Sequence, residues 1–461
     1  MTQVAVCALT LLVTSSTVPQ SPAYPVFEND KIPSSEHAAR RQALRDHMGR
    51  KSIGVFFTNA VHHRNGDVNF QFRAESNFLY LTGFEEPDAA LVLIPGGAVV
   101  DGKRVTEILF VNEATQNSIT WLGYRMGSSN VETLLDFDMG ASNAAFADVL
   151  SAVAQAAGAT RLYGNSPPQA ATGTMSRMAS AFAKWRSASG AALSNERSWS
   201  RYLARAREIK SPLEQKMVRR AVVISVEAHI AAMQTTKPGM REYEIAGLVK
   251  YVFARNGCEY PGYPPIVGSG PNSTILHYNT NRRMMQDGDI ICMDTAGEFH
   301  GYTADITRSF PVNGKFSPEQ KAIYEIVLRA TDAGIAACKP GATRRRGGDV
   351  DLAIRQILIK GLQRLGIIQN ANQLGRYYMH GWGHNIGLDV HDVQPRGTLE
   401  PGMTLTVEPG IYIKAGSPCD EKWWNIGIRI EDNVLITADG RVNMSASAPR
   451  TVAEIEATMR R

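Results

Sequence analysis

The chain has 461 residues, of which 44% are hydrophobic and 20% are charged. This composition supplies a packed core and excludes wholesale disorder, a collagen-like chain and a coiled coil. The 49 basic and 44 acidic side chains leave a net charge of only +5, which gives no argument for nucleic-acid binding. Five cysteines, none in a CxxC pair, argue against a disulfide framework and against a thiolate metal site. A chain of this length is expected to form about two domains.

The N-terminal segment, residues 1–30, carries a short apolar run. Residues 4–13 are followed by Ser, Thr and Pro, as in the hydrophobic stretch of a secretory signal, but no Lys or Arg precedes them. The run is too short for a transmembrane helix, and no other stretch has the pattern of one. The signal-like residues 1–20 therefore leave open both a cytoplasmic protein and an exported one, either periplasmic or secreted. The segment is otherwise interpreted as a disordered tail.

Residues 31–200 are predicted to form a first domain in which strands and helices alternate. Residues 36–50 and 143–158 have helical patterns, and residues 52–58 form an apolar run of strand length. The Ala/Ser-rich residues 179–199 are interpreted as a connection to the second domain.

Residues 201–461 form the predicted second domain and contain an internal repeat. Residues 211–214 and 317–320 each have the sequence of a helix start, with Ser as N-cap, Pro at the first helical position and Glu or Gln closing a capping box. Each predicted helix ends at a Lys-Pro-Gly, and a second helix follows, at 242–255 and at 349–365. The repeated order predicts a duplicated helix–helix–sheet unit. Two such units pack most simply as one sheet with helices outside and a cleft between the halves.

The strands of the second half end in acidic residues. Asp294, Glu408 and Glu431 each close an apolar run, and Asp305 follows a glycine-rich turn. An isolated ionised carboxylate in apolar surroundings is costly unless it is paired or bound to a cation. A single one of these acids would be explained by a nearby arginine or a helix N-terminus. Four of them in one half favour a shared cation.

A glycine-rich segment at residues 379–391 contains His380, His384 and His391. Its glycine spacing fits no dinucleotide-binding fingerprint, and it is not an HExxH motif. Four carboxylates and one imidazole make a hard, oxygen-rich ligand set that suits a pair of Mn²⁺, Co²⁺ or Zn²⁺ ions with bridging carboxylates. Such a pair activates water for amide hydrolysis, and neighbouring histidines would donate to the developing oxyanion.

These motifs resemble those of the pita-bread metallopeptidases, and specifically those of the Xaa-Pro aminopeptidases (aminopeptidase P). The resemblance extends over nearly all of residues 35–455. It implies an α/β (α+β) protein in which a mixed α/β N-terminal domain, at residues 31–200, precedes a pita-bread catalytic domain at residues 201–461. The matching segments are residues 275–278, 294–308, 380–392, 407–410 and 427–432 in the second half, and 64–68, 72–73, 76–78 and 80–84 in the first.

The resemblance also implies a ligand set for two divalent metal ions, with Mn²⁺ preferred and Co²⁺ or Zn²⁺ as alternatives. Asp294 would chelate one ion, whereas Asp305 and Glu431 would bridge both. His384 and Glu408 would complete the second ion, and Glu408 would also shuttle a proton.

The remaining implied roles concern the substrate. His277 and His380 would shape a proline pocket, and His391 would contact the scissile carbonyl or the oxyanion. Arg429 would orient a carboxylate or contact substrate, with a plain ion pair as the alternative reading. The implied reaction is attack by a metal-bridging hydroxide on the Xaa-Pro carbonyl, which releases the N-terminal residue. Peptides with proline in second position are the expected partners, without nucleic acid or membrane, in a homo-oligomer that is a dimer or tetramer.

Other readings remain open at this point. Prolidase, which cleaves Xaa-Pro dipeptides, shares the fold, the ligands and an N-terminal domain of this kind. A creatinase-like protein would not need all five ligands, and methionine aminopeptidases usually lack this N-terminal domain. A metal-free pita-bread binding module is a further alternative, but such a chain would be expected to lack some of the ligands. Residues 344–346, three consecutive arginines, depart from the familiar pattern and are interpreted as a solvated loop, with a subunit or acidic contact as the alternative.

Overall fold

The computed structural model of the protein describes residues 24–169, 172–190 and 193–460. The α-helices in these ranges are α1 Ser34–Met48, α2 Ser76–Thr82, α3 Gln116–Leu122, α4 Ser128–Leu135, α5 Phe146–Ala156, α6 Gly173–Ser189, α7 Ser198–Glu208, α8 Pro212–Thr235, α9 Glu242–Arg255, α10 Pro318–Ala337, α11 Asp349–Arg364 and α12 Val452–Thr458. The strands are β1 Ser52–Phe57, β2 His63–Asn65, β3 Val68–Asn69, β4 Ala90–Val100, β5 Lys103–Val111, β6 Met139–Ser142, β7 Arg161–Tyr163, β8 Ser194–Asn195, β9 Tyr260–Pro261, β10 Ile266–Ser269, β11 Ile290–Asp294, β12 Gly297–Phe299, β13 Tyr302–Thr303, β14 Thr307–Pro311, β15 Thr404–Val407, β16 Gly410–Ile413, β17 Ile426–Arg429, β18 Asp432–Thr437 and β19 Gly440–Asn443.

The chain divides into two compact units between Leu203 and Ala204. This division falls inside α7, a few residues beyond the predicted boundary at residue 200. The predicted segment at residues 1–30 lies largely outside the described residues, so its signal-like part has no structural account. No helix in the described ranges is long and apolar enough to cross a membrane.

The first unit is built on a six-stranded mixed sheet in the order β6-β5-β4-β1-β7-β8. β4 runs antiparallel to both of its neighbours, and the remaining pairs are parallel. Val55, Val92, Phe110 and Phe146 belong to its apolar core and are almost fully buried. The sequence predictions for α1, β1 and α5 are confirmed within a few residues at each end.

The interpretation of residues 179–199 as a connection is wrong for the first half of that segment. Residues up to Ser189 belong to α6, whose Met175 and Met178 are buried in the core of the first unit. The physical reason is that alanine is the strongest helix former, so an Ala/Ser-rich stretch flanked by apolar residues continues a helix. Further along the segment, β8 belongs to the six-stranded sheet and α7 begins at Ser198.

The second unit confirms the repeated helix pair. α8 and α10 both begin at the predicted prolines, and Ser211 and Ser317 close capping boxes with Glu214 and Gln320. α9 and α11 follow as the second helix of each repeat and pack closely against α8 and α10. The caps satisfy backbone N–H groups at the helix start, which fixes where each helix begins.

The strands of the second unit do not form the one continuous sheet that was expected. They form small antiparallel sheets in the orders β10-β11-β14, β9-β12-β13, β15-β18-β19 and β16-β17. The breaks between β15 and β16 and between β17 and β18 contain Glu408 with Pro409 and Ile430 with Glu431. Proline lacks the N–H that a continuous ladder requires, so the pairing stops and the chain bends there.

A buried histidine in the first unit makes its stability depend on pH. His37 of α1 is 6% exposed, and its Nδ1 donates to the carbonyl of Tyr80 at 2.9 Å. Burial, helped by the charge of Arg40, lowers the pKa of His37 to about 3. Protonation of the unfolded chain at about pH 6.5 therefore favours unfolding.

We expect the His37→Asn variant to lose less stability on acidification than the native chain. The folded pKa lies below the unfolded value, so the contribution of His37 is fully present above pH 6.5 and is lost as pH falls toward 3. Between pH 7.5 and pH 5 this amounts to about 2 kcal/mol of unfolding free energy. Urea unfolding of both proteins at these two pH values measures the difference. An equal loss in both proteins would contradict the assignment.

Candidate metal centre

Two glutamates of the predicted ligand set lie at the same bend of a strand pair. β15 and β18 pair with Val407 opposite Asp432, and β16 and β17 pair with Gly410 opposite Arg429. Glu408 and Glu431 therefore occupy the gaps between these paired segments. The two strands run antiparallel, so both bends fall at one level and bring the two carboxylates together.

Two aspartates come from the neighbouring sheet. Asp294 ends β11 and pairs with Thr307, the first residue of β14. Asp305 precedes β14, and its backbone N–H donates to Asn433 Oδ1 at 3.1 Å. Thr307 donates through Oγ1 to Glu431 Oε2 at 2.7 Å, which ties this sheet to the bent strand pair.

His384 adds the single imidazole. Its Nδ1 donates to the carbonyl of Asn385 at 3.0 Å. Its Nε2 lies 3.3 Å from Asp305 Oδ2 and 3.5 Å from Glu408 Oε1. A hydrogen bond from one ring nitrogen to a backbone carbonyl is the usual way in which a protein orients the other nitrogen toward a metal.

The five predicted ligands converge on one site. Single ligand atoms of Asp294, Asp305 and Glu431 all lie within 4.8 Å of one another, and so do those of His384, Glu408 and Glu431. The three carboxylates of the first group are almost fully buried, whereas His384 and Glu408 are half-buried. The arrangement is open on the side of His384 and Glu408, where a substrate can enter.

The electrostatics of this cluster fit a cation. Burial raises the pKa of Asp294 to about 6 and that of Glu408 to about 7. Burial and the charges of Asp305 and Glu408 hold the pKa of Glu431 well above its ordinary value. These carboxylates can all be ionised together at neutral pH only if further positive charge is supplied. Divalent ions that accept oxygen and imidazole ligands meet this need.

The pKa values of Asp305 and His384 shift in opposite directions because the two side chains face each other. Burial would raise the pKa of Asp305, but the hydrogen bond and charge of His384 outweigh it and hold this pKa below its usual range. Burial would lower the pKa of His384, but Asp305 raises it to about 9. The pair is therefore ionic when no other cation is close.

Arg429, Tyr412 and His380 form a chain of hydrogen bonds beside the cluster. Arg429 Nη2 donates to Asp294 Oδ2 at 2.5 Å, and its Nη1 donates to the Tyr412 hydroxyl at 3.0 Å. The hydroxyl in turn contacts His380 Nε2 at 2.8 Å, while His380 Nδ1 donates to the carbonyl of Gly381 at 2.8 Å. Burial and the charge of Arg429 lower the pKa of His380 to about 4, so the ring is neutral at pH 7.

His391 and His277 lie at the exposed edge of the site. The ring of His391 meets that of His384 edge-on, with centroids 4.3 Å apart. Burial and the charge of His384 lower the pKa of His391, which keeps it neutral at pH 7. His277 is exposed, and its charge adds to the lowering of the pKa of His380 and of His391.

Three residues at the cluster were not singled out from the sequence. The Tyr263 hydroxyl lies 2.5 Å from Asp294 Oδ1 and 2.5 Å from Asp305 Oδ1. Thr307 and Asn433 each follow a predicted ligand by two residues, so the two-residue strand period could have indicated them. Tyr263 belongs to a Pro- and Gly-rich segment between α9 and β10 that carries no such signal.

The interpretation of residues 344–346 as a solvated loop is correct for Arg345 and Arg346 and wrong for Arg344. The side chain of Arg344 is 8% exposed and forms an ion pair with Glu208 at 3.1 Å. It also donates to Asn385 Oδ1 at 2.8 Å. Arg344 thus supports the segment that carries His384.

Comparison with known families agrees with this geometry. The profile of metallopeptidase family M24 matches residues 216–438. The profile of the aminopeptidase P N-terminal domain matches residues 37–163. The two matches fall in the two structural units, one in each.

Relatives are similar along almost the whole chain. The Xaa-Pro aminopeptidase of Escherichia coli is 36% identical over 93% of this chain and 98% of its own length. Human Xaa-Pro aminopeptidase 3 is 30% identical over 91% of this chain and 85% of its own. The structure of Zn-substituted Escherichia coli aminopeptidase P in complex with product superposes with a TM-score of 0.84 at 36% identity, covering 93% of this chain and 98% of that one. An aminopeptidase of Pseudomonas aeruginosa gives the same TM-score and identity over 94% and 99%.

We expect the Thr307→Val variant to bind Mn²⁺ about tenfold more weakly than the native protein. The substitution keeps the shape of the side chain and removes the hydroxyl that donates to Glu431 and accepts from Arg429 Nε. Isothermal titration of the metal-depleted protein with Mn²⁺ measures the affinity.

Thr82→Val is the matched control, because Thr82 is equally buried and its hydroxyl serves only the backbone of the first unit. The control variant is expected to bind Mn²⁺ like the native protein. Equal affinities for all three proteins would show that the Thr307 hydroxyl has no influence on the metal site.

Proposed function

This chain belongs to metallopeptidase family M24, and on that premise we propose that it removes the N-terminal residue from peptides whose second residue is proline. The observation that carries the proposal is the convergence of Asp294, Asp305, His384, Glu408 and Glu431 on one site. Two relatives that match almost the whole chain, those of Escherichia coli and Haemophilus influenzae, are Xaa-Pro aminopeptidases.

The protein is a divalent-metal enzyme, and the five converging residues are the proposed ligands. Asp294, Asp305 and Glu431 would hold the ions on the buried side, and His384 and Glu408 on the open side. We propose Mn²⁺ as the ion, because four carboxylates and one imidazole form a hard ligand set. When bound, the ions supply Lewis acidity that polarises a carbonyl and acidifies water.

The chain's own residues supply the proton transfer. Glu408 is half-buried and lies on the open side of the cluster, with Oε1 3.5 Å from His384 Nε2. A carboxylate within reach of the attacking water can accept a proton and return it. We therefore assign to the Glu408 carboxylate the uptake of a proton from the attacking water and its delivery to the proline nitrogen that leaves.

We assign His380 to the wall of the proline pocket and not to proton transfer. Both of its ring nitrogens are engaged, by the carbonyl of Gly381 and by the Tyr412 hydroxyl. Its ring meets Tyr378 edge-on at 5.0 Å and Tyr412 at 5.5 Å, so an apolar surface is held in a fixed orientation. Such a surface suits the rigid proline ring, and we assign His380 and the nearby exposed His277 to the proline pocket.

His391 and Arg429 have different proposed roles. His391 is exposed and neutral beside His384, so it can donate a hydrogen bond to the scissile carbonyl oxygen as negative charge develops there. Arg429 is 4% exposed and is fully engaged by Asp294, Thr307 and Tyr412. We assign it to holding Asp294, which favours the ion-pair reading over contact with substrate.

Cleavage of an Xaa-Pro bond requires a specialised site, because this bond lacks a hydrogen-bond donor. An Xaa-Pro bond is a tertiary amide without an N–H, and its ring fixes the backbone. A peptidase that holds its substrate through that N–H loses a hydrogen bond there. A site that accepts the ring and attracts the free ammonium group with nearby carboxylates avoids this loss.

A paired assay tests the proposed reaction against the prolidase alternative. We expect the Mn²⁺-loaded protein to cleave an Xaa-Pro-Yaa-Zaa tetrapeptide at least as fast as an Xaa-Pro dipeptide, measured as the free amino acid released. Cleavage of the dipeptide alone would identify a prolidase. Cleavage of neither substrate by protein with bound metal would refute the proposed specificity.

Metal dependence is tested by substitution as well as by removal. We expect Asp305→Asn to lower kcat/KM by at least about a thousandfold, because a proposed metal ligand and the ionic partner of His384 are both lost. A chelator applied to the native protein should abolish activity, and Mn²⁺ should restore it there but not in the variant. Full activity of Asp305→Asn would refute the ligand assignment. Activity of the native protein that is lost with the chelator and restored by Mn²⁺ would exclude a metal-free binding module.

We further propose a homo-oligomer, a dimer or a tetramer. Several large apolar side chains of the first unit are exposed, among them Phe70 at 57% and Trp121 at 77%. Analytical ultracentrifugation is expected to show a species heavier than the 50.4 kDa chain.

The domain limits 31–200 and 201–461 also stay a proposal. Limited proteolysis is expected to cut near α7, between the two domains.

A further inference from the structure

A basic pocket lies beside His380, and none of the five proposed metal ligands lines it. Its volume is about 520 Å³, within the range of small-molecule sites. Three arginines and one aspartate line it. Arg344 and Arg355 are paired with Glu208 and Asp351, which leaves the charge of Arg346 unpaired among the described residues. The residues that matter here are Arg344, Arg346, Asp351, Arg355, Tyr378 and His380.

Two of the arginines form fixed walls. Arg344 is held by Glu208 and Asn385, and its carbonyl accepts a hydrogen bond from Trp382 Nε1 at 2.8 Å. Arg355 donates through Nε to Asp351 at 2.9 Å, and its guanidinium lies 5.4 Å from the centre of the Tyr378 ring. These contacts hold positive charge in place without any ligand.

Two other groups of the pocket have no partner in the described part of the chain. Arg346 is exposed and forms no ion pair there. The Tyr378 hydroxyl makes no hydrogen bond, although Tyr378 is only 1% exposed. Buried hydroxyls are nearly always hydrogen-bonded. An oxygen of a bound anion would satisfy both groups.

The pocket begins where the proposed proline wall ends. His380 borders it, and His380 Nδ1 lies 3.7 Å from Glu408 Oε2 at the metal cluster. A peptide whose proline packs on His380 would therefore continue into the pocket. The proline nitrogen leaves with this part of the peptide, so the pocket would be filled before and after cleavage.

We infer that this pocket binds a carboxylate in the part of the substrate that follows the proline. The carboxylate is either the side chain of an acidic third residue or the terminal carboxylate of a tripeptide. Arg346 would pair with it and the Tyr378 hydroxyl would donate to it. The inference rests on the proposed function, because it concerns the same peptide.

The test compares substrates that differ only in this charge. For the acidic side chain the pair is Ala-Pro-Glu-Ala-amide and Ala-Pro-Gln-Ala-amide, and for the terminal carboxylate it is Ala-Pro-Ala and its amide. We expect kcat/KM to be about fivefold higher for the charged member of one pair, as for an exposed ion pair, and the ratio to shrink as salt is raised. The pair that shows the preference identifies the source of the carboxylate.

Variants assign the preference to the pocket. Arg346→Gln and Tyr378→Phe should each bring the ratio toward one, and Arg346→Glu should reverse it. Arg345→Gln is the matched control, because Arg345 is an exposed neighbour that does not line the pocket, and it should keep the ratio of the native protein. The Arg346 and Tyr378 variants would then differ from a variant that merely disturbs the loop.

The outcomes separate the two proposals. A native enzyme that cleaves all four peptides with ratios near one overturns the carboxylate pocket and leaves the proposed function intact. A preference that survives Arg346→Gln and Tyr378→Phe unchanged also overturns it. Failure to cleave any of the peptides would refute the proposed function, and the pocket assignment with it.

Discussion

The mutual repulsion of buried carboxylates is the constraint on which the second unit depends. Asp294, Asp305 and Glu431 are each at most 7% exposed, and carboxylate oxygens of the three lie within 4.8 Å of one another. Without compensation such a cluster would stay partly protonated or open to water. Arg429, His384 and two hydroxyl groups supply part of the compensation, and divalent ions complete it. The fold thus places carboxylates so close together that they can all be ionised only when cations are bound.

The strands around the cluster are fixed by a second, closed set of charges. Arg308 and Asp432 are both fully buried and pair at 2.7 Å, and Ser445 donates to the same carboxylate at 2.8 Å. Arg308 also donates to the carbonyl of Glu431 at 2.7 Å. Because every one of these contacts is internal, the backbone that carries Glu431 cannot move without breaking a buried ion pair, which is strongly destabilising. These contacts fix the buried side of the site, to which Glu431 belongs.

What could be predicted from the sequence was local or chemically conspicuous. The capping boxes at Ser211 and Ser317 predicted two helix starts because every residue involved lies within one turn. The strand-end acids were recognised because a carboxylate at the end of a buried apolar strand is costly unless it is paired or bound to a cation. Tyr263 escaped notice because its partner Asp294 is 31 residues away and no periodicity connects them. Arg344 was misread for the same reason, since its partner Glu208 is separated from it by 136 residues.

The bend shared by Glu408 and Glu431 also bears on how the chain tolerates change. The register of the two strands is set on both sides of the bend, by Val407 opposite Asp432 and by Gly410 opposite Arg429. The loop at residues 414–425 joins these strands beyond the last paired residues, so its length has no influence on that register. Insertions in this loop would leave the ligands in place, whereas a deletion of one residue inside β16 would turn the later side chains of that strand to the opposite face. Variation among natural or engineered forms of the enzyme is therefore expected to accumulate at the tip of this hairpin, away from its bend.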